Sequence, residues 1–169
     1  VTDFIQWFTH VQLHKYEFLW RFHKVHHSVE EMGFAAHLRY HWMENIFYTP
    51  MKYIVVMLFF GFEPASAFIV YYLTIAIGHL NHANIKLTYG PLKYVFNNPV
   101  MHLWHHSYNL PKDRRKGVNF GISLSIWDYI FGTSYVPEDS GMIKIGFPGM
   151  DNFPKDFVNQ SLHGFKLED

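Results

Sequence analysis

Apolar residues recur at helical spacing from Asp3 to Trp20, with no Gly or Pro among them, and predict a first helix. His10 and His14 stand four apart and share one face of it. His23, His26 and His27, at i, i+3 and i+4, share another. His14 and His23 are nine positions apart, half a turn out of phase at ~3.6 residues per turn. One straight helix would aim the two groups in different directions, so a break is expected near Arg21. Ser28 is expected to cap a new helix, with Glu31 at its capping-box position.

The apolar bulk lies between positions 46 and 80, in two arms, Ile46–Phe62 and Ala65–Leu80, with Gly61, Glu63 and Pro64 at the tip. A bilayer crossing needs ~20 apolar residues, and the first arm carries Pro50 and Lys52. A buried soluble hairpin and a short membrane hairpin, reaching part of the way across, both fit this pattern. Beyond it, Gly90-Pro91 and Asn97-Asn98-Pro99 signal turns and place a helix start near Val100. Asn109–Gly121 reads as loop and Ile122–Phe131 as a short apolar element. The last forty residues, rich in Gly and Pro, read as a polar tail folded over the cytoplasmic face. The expected fold is all-α: one domain over 1–169, with first histidine groups (1–44), apolar membrane hairpin (45–82), a last histidine segment (83–135) and the tail (136–169).

Composition narrows the class. A length of 169 residues is that of one domain. Fourteen basic residues balance fourteen acidic ones, which argues against a protein devoted to nucleic acid. Without cysteine there is no disulfide, thiolate zinc site or iron–sulfur cluster. Aromatic residues make up 20% of the chain, and many Trp and Tyr flank apolar runs, as in membrane-interface belts. Lys15, Arg21, Lys24 and Arg39 precede the hairpin; Lys86, Lys93 and the run Lys112–Lys116 follow it. The positive-inside tendency then puts both flanks in the cytoplasm. The opening at Val1, with neither an initiator Met nor a signal-peptide pattern, reads as the C-terminal or trimmed part of a longer protein.

The candidate chemistry is histidine chemistry. His23, His26 and His27 form one HxxHH, and His102, His105 and His106 form another. An HxxxH pair, His10 and His14, precedes the first; an HxxH pair, His79 and His82, precedes the second. Imidazole is the commonest protein metal ligand, and ten at helical spacing exceed what one ion can coordinate. Soluble di-iron bundles rely on Glu and Glu-x-x-His, which this chain lacks in the right places; it offers neutral nitrogen donors instead, suited to Fe, Zn, Cu or Ni. The two HxxHH groups can share one site only if an even number of membrane crossings separates them, and a single hairpin supplies two.

The stretch DFIQWFTHVQLHKYEFLWRFHKVHHS, with HLRYHWMEN, GHLNHANIKL, NPVMHLWHHS and NFGISLSIWDYIFGT, resembles the fatty acid hydroxylase/sterol desaturase superfamily of membrane histidine-rich di-iron oxygenases, from Asp3 to about Tyr135. The resemblance implies that His10, His14, His23, His26 and His27 match the first two histidine boxes, His102, His105 and His106 the last, and His82 the histidine of LNHANI. These nine are the implied catalytic set. His79, one turn before His82, is a candidate tenth metal ligand. Val11 stands where the family has an arginine. The resemblance further implies two iron ions with O2 as co-substrate. The reaction would be hydroxylation or desaturation of a lipid: a sterol, sphingoid base, fatty acyl chain or alkylglycerol. An external electron donor of cytochrome b5 or ferredoxin type is implied, as is an integral-membrane location (endoplasmic reticulum or bacterial inner membrane). The histidine-lined di-metal helical cap would face the cytoplasm.

Other residues carry weaker expectations. His41 reads as a hydrogen-bond partner of a ligand, His37 as a surface residue and His163 as uninvolved. Asp128 either orients a ligand imidazole or stabilises a turn beside a buried Trp; Asn84 and Asn119 pose the same choice. Glu17 and Glu44 read as solvated rather than as partners of the ligands. Tyr71, Tyr72, Phe59 and Phe60 read as lipid-facing or core rather than as a substrate box. A bis-histidine haem-binding electron carrier is the alternative function, but adjacent imidazoles in HxxHH cannot both serve one haem. A zinc hydrolase would need a general-base Glu, as in HExxH, and a non-catalytic membrane scaffold would need none of the histidines.

Overall fold

The computed structural model describes residues 1–61, 63–137 and 143–165, without the side chains of Thr49, Val55, Val56 and Phe60. Phe60 as a lipid-facing ring, Phe62 as the end of the first arm, and tail positions 138–142 and 166–169 lie outside the described residues. Among those described, the chain is helical, with two isolated β-bridges (Phe96 to Leu124, Ser107 to Ile145) and no sheet.

Helix α1 (Thr2–Lys15) ends at Tyr16, whose extended backbone (φ −97°, ψ 122°) is also the start of α2 (Glu17–His27). The break thus falls at Tyr16 and not near Arg21. No Gly or Pro marks the site; tertiary packing selects it, because the turn must precede all of the second histidine face for α2 to fold back on α1. Ser28 does not start a helix either. It closes α2, its hydroxyl donating to the Val25 carbonyl (2.8 Å) and accepting from Arg39 Nη2 (3.0 Å). A 3-10 turn over Phe34–Leu38 follows.

The apolar arms are α3 (Trp42–Phe60) and α4 (Pro64–Asn81). His41 caps α3, its Nδ1 accepting from the Met43 amide at 3.1 Å. Gly61 ends it in the left-handed conformation (φ 63°), where a residue without Cβ carries no steric penalty. Helix α3 packs on α1 and α2, while α4 packs on the 34–38 turn and on α5 (Pro99–His105). Asn98 caps α5, accepting from the Met101 amide at 3.0 Å, so the helix begins within a residue of the expected Val100. Short helices α6 (Ile126–Ile130) and α7 (Phe157–Leu162) complete the order.

The interior is unusual in being largely polar. Imidazoles fill its centre, and the apolar clusters are small and peripheral. Val25, Phe147 and Phe153 form one, with Trp20 and Met150 against it; Val29, Met32 and Ala36 form the other, with Leu103 and Ile145. In both, tail residues close over α2 or the segment after it. Outward, both arms expose large apolar residues, among them Leu58 (76%) and Phe59 (77%) on α3 and Phe68, Ile69 and Tyr72 on α4. No helix among the described residues is long and apolar enough to cross a membrane.

Candidate metal centre

Imidazoles from α1, α2, the end of α4 and α5 meet in two groups. His10, His14, His23, His27 and His105 form the first, and His26, His82, His102 and His106 the second; within each, one ring nitrogen per residue lies within 4.8 Å of all the others. The groups adjoin through neighbouring positions. His26 and His27 go one to each, as do His105 and His106, and the His27 and His106 rings stack at 4.3 Å. The HxxHH spacing produces this division: adjacent residues on a helix point about 100° apart, so each motif serves both groups.

Backbone carbonyls and one carboxylate fix which nitrogen of several rings faces inward. Nδ1–H of His10 donates to Phe120 O (2.7 Å), of His105 to Val118 O (2.8 Å), of His26 to Arg39 O (2.9 Å) and of His82 to Gly78 O (2.7 Å). His23 Nδ1 donates to Glu44 Oε2 at 2.8 Å. With Nδ1 carrying the proton, Nε2 is a lone pair. Yet His10 Nε2 stands 3.2 Å from His23 Nε2, and His26 Nε2 stands 3.3 Å from His82 Nε2. For His26 and His82, whose Nδ1 atoms both donate to carbonyls, lone pair meets lone pair and no neutral hydrogen bond can join them. Burial pushes the His10, His23 and His26 imidazoles down to about 3, so a shared proton is disfavoured. Nε2 of His14, His27 and His105 and both nitrogens of His106 are buried without a partner. Buried polar atoms are normally satisfied, and a cation in each group would satisfy one nitrogen of each of these rings. Two nitrogens each about 2.1 Å from a common ion, at angles of about 90–110°, lie about 3.0–3.4 Å apart, which matches the spacing found.

His79 stands outside both groups. It turns away from His82, stacks on Phe34 (3.9 Å between ring centroids) and donates from Nδ1 to the Phe34 carbonyl (2.9 Å). His37, expected at the surface, is half-buried instead, with its ring 5.0 Å from that of His82 and 4.7 Å from that of His79. His41 touches neither group: its Nε2 donates to Ser161 O at 2.8 Å, tying the tail to α3. His163 packs on Phe153, away from the centre.

Glu44 is the main correction. It is buried, not solvated, and is the carboxylate that holds His23. Its Oε1 also accepts from the His41 amide (3.3 Å), and burial pushes its carboxyl up to about 7. The His41-to-Glu44 spacing is that of a capping box, the one sequence signal that could have placed it. Glu17 remains exposed at the start of α2. Asp128 touches no imidazole: it accepts from Trp7 Nε1 (2.9 Å), Thr133 Oγ1 (2.6 Å) and the amides of Phe120 and Gly121 (2.9 Å each). It anchors the strand of chain whose Phe120 carbonyl holds His10. Asn119, in the left-handed conformation (φ 51°), ties Met101 O and Tyr135 rather than a ligand. Asn84 is exposed.

A cavity of about 490 Å3 opens between α3 and α4 and ends on His10, His23, His26 and His82, ring members of both groups. Tyr48, Tyr53, Tyr71, Thr74 and Ile75 line its walls, so Tyr71 faces the cavity and not lipid alone.

Several known proteins are similar to this chain in sequence. The chain is 32% identical over 149 residues to the ornithine lipid hydroxylase OlsE of Rhizobium tropici, covering 88% of this chain and 44% of that protein. It is 33% identical over 132 residues to the alkylglycerol monooxygenase of Caenorhabditis elegans (78% and 25%) and 29% identical over 141 residues to that of Xenopus tropicalis (80% and 29%). The chain therefore spans less than half the length of each of these relatives. No solved structure matches it. Residues 1–133 match the family model for fatty acid hydroxylases, and the chain belongs to that family.

Proposed function

We propose that this chain carries the catalytic centre of an O2-dependent di-iron lipid hydroxylase. The observation that carries the reading is the facing lone pairs of His26 and His82 in one group and the buried, unpartnered Nε2 atoms of His14, His27 and His105 in the other. His10, His14, His23, His27 and His105 would hold one iron and His26, His82, His102 and His106 the other, with no role in either for His79. Two irons held there would supply the oxidising power to insert one oxygen atom of O2 into a C–H bond, with two electrons from an external donor of cytochrome b5 or ferredoxin type and two protons taking the other atom to water. Hydroxylation is favoured over desaturation by the relatives, which are named hydroxylase and monooxygenase.

The protein's own contribution is placement. The carbonyls of Phe120, Val118, Arg39 and Gly78 and the Glu44 carboxylate fix the inward nitrogens. The cavity brings substrate to both groups from between the arms and keeps bulk water from the reacting carbon. The exposed apolar faces of α3 and α4 sit in the membrane as a hairpin entering and leaving on the same side, with the histidines on the cytoplasmic side. Lipid reaches the cavity directly from the bilayer.

Metal analysis of the full-length protein tests the reading. Two irons per chain are expected, with loss of both iron and lipid oxidation on His26→Ala or His105→Ala. A Soret band in place of non-haem iron would overturn it in favour of a haem carrier.

A further inference from the structure

We propose that Lys52 and Tyr53 form an oxyanion site inside the cavity, and that the lipid oxidised here carries a carboxylate or phosphate. The inference rests on reading that cavity as the substrate channel. Lys52 is 6% exposed and lines the cavity. No carboxylate among the described residues lies within ion-pair distance of it. Asp3 attracts it from further away, but the Asp3 carboxylate already accepts from Trp127 Nε1 at 2.8 Å. The next side chain, Tyr53, lines the same cavity, and its hydroxyl is buried without a partner. The ammonium stands 5.2 Å from the Tyr53 ring centroid. Two neighbouring donors therefore line one space, and neither has a protein acceptor among the described residues.

A buried cation with no carboxylate in contact is costly, and an ionisable residue in a membrane-facing element normally marks a functional site. An oxyanion meets both needs, because it neutralises Lys52 and accepts from the Tyr53 hydroxyl. Its place also sets a measure on the substrate. Glu44, Tyr48 and Lys52 recur at four-residue spacing on one face of α3, so Lys52 lies about 12 Å along the helix from the carboxylate that holds His23. The oxyanion is held there while a carbon further along the same molecule reaches the histidines. Carboxylate and phosphate share the required chemistry.

The test is a binding experiment on the full-length protein in detergent. The fluorescent probes are cis-parinaric acid and its uncharged methyl ester. The wild type is expected to bind the acid about tenfold tighter than the ester, the effect of one charge-assisted hydrogen-bonded pair. Lys52→Met and Lys52→Gln abolish that preference at unchanged iron content; Lys52→Arg keeps it; Tyr53→Phe reduces it about threefold. Displacement of the probe by oleate assigns a carboxylate, and by oleoyl lysophosphatidate a phosphate. Equal binding of acid and ester by the wild type, a preference that survives Lys52→Met, or displacement by neither competitor would overturn the site. Iron content and O2-dependent turnover, measured separately, report on the catalytic reading, so the two can fail independently.

Discussion

His23 owes its orientation to one side chain, while four of the other inward-facing imidazoles are held by backbone carbonyls. It is therefore the ring most exposed to mutation. Glu44→Ala leaves His23 Nδ1 buried with no acceptor and frees the ring to turn. Partners of this kind contribute about 10–100-fold to metal affinity, so Glu44→Ala is expected to lose iron to a chelator at a concentration lower by about that factor. Glu44→Gln keeps an amide oxygen as acceptor and should lie near wild type. Iron retained equally by all three proteins would refute the role. Asp128 acts on the same centre through the backbone. Asp128→Ala strips acceptors from Trp7, Thr133 and two amides at once. A loss of roughly 3 kcal/mol or more follows from unsatisfied buried donors, readable as a large fall in Tm; a change under about 1 kcal/mol would contradict the anchoring role.

Between elements, α4 and the 34–38 turn approach closely. A Cβ added at Gly78 would lie 2.3 Å from Cε1 and Nε2 of His37, so the glycine makes room for that ring, and its carbonyl holds His82. Gly78→Ala is expected to cost about 1–3 kcal/mol by overpacking and to weaken binding of the iron proposed for the four-histidine group. His37→Ala in the same chain vacates the space, and the double variant should regain most of the loss in a thermal-unfolding cycle. Strictly additive effects would show that the two do not compete. Local chemistry made some element boundaries legible: Asn98-Pro99 starts α5 and Gly61 ends α3. Nine of the ten histidines that the resemblance singled out lie in the two adjoining groups. The break at Tyr16 was not legible, since no residue there resists a helix and only the docking of α2 on α1 decides it. Glu44, His37 and His79 were misplaced for a related reason. Their environments come from segments distant in sequence, and a buried carboxylate at the start of a helix looks like an exposed one until the partner is known.

At the scale of the molecule, polar and apolar parts are inverted relative to a soluble domain: imidazoles are inside, and Leu58, Phe59, Phe68, Ile69 and Tyr72 are outside. Large apolar side chains exposed in this number on one helical hairpin point to a covering surface. The basic run Lys112–Lys116 belongs to the loop beside α1, with Lys116 Nζ 3.3 Å from the Lys15 carbonyl, whereas the apolar residues belong to the hairpin. Basic and apolar surfaces thus lie on different elements, as they would if one met water and the other lipid. The chain has no cysteine, so a single introduced thiol reports its own surroundings, with the unsubstituted full-length protein as background. In membrane vesicles with the cytoplasmic side outward, Lys116→Cys is expected to react fully with a membrane-impermeant maleimide. Phe59→Cys should stay unlabelled until detergent is added, because the proposed membrane hairpin would set its side chain among acyl chains, where neither the reagent nor the thiolate it needs is stable. Rapid labelling of Phe59→Cys in intact vesicles would mean that the hairpin is covered by something other than lipid, and the path from bilayer to cavity would have to be abandoned while the histidine centre stood.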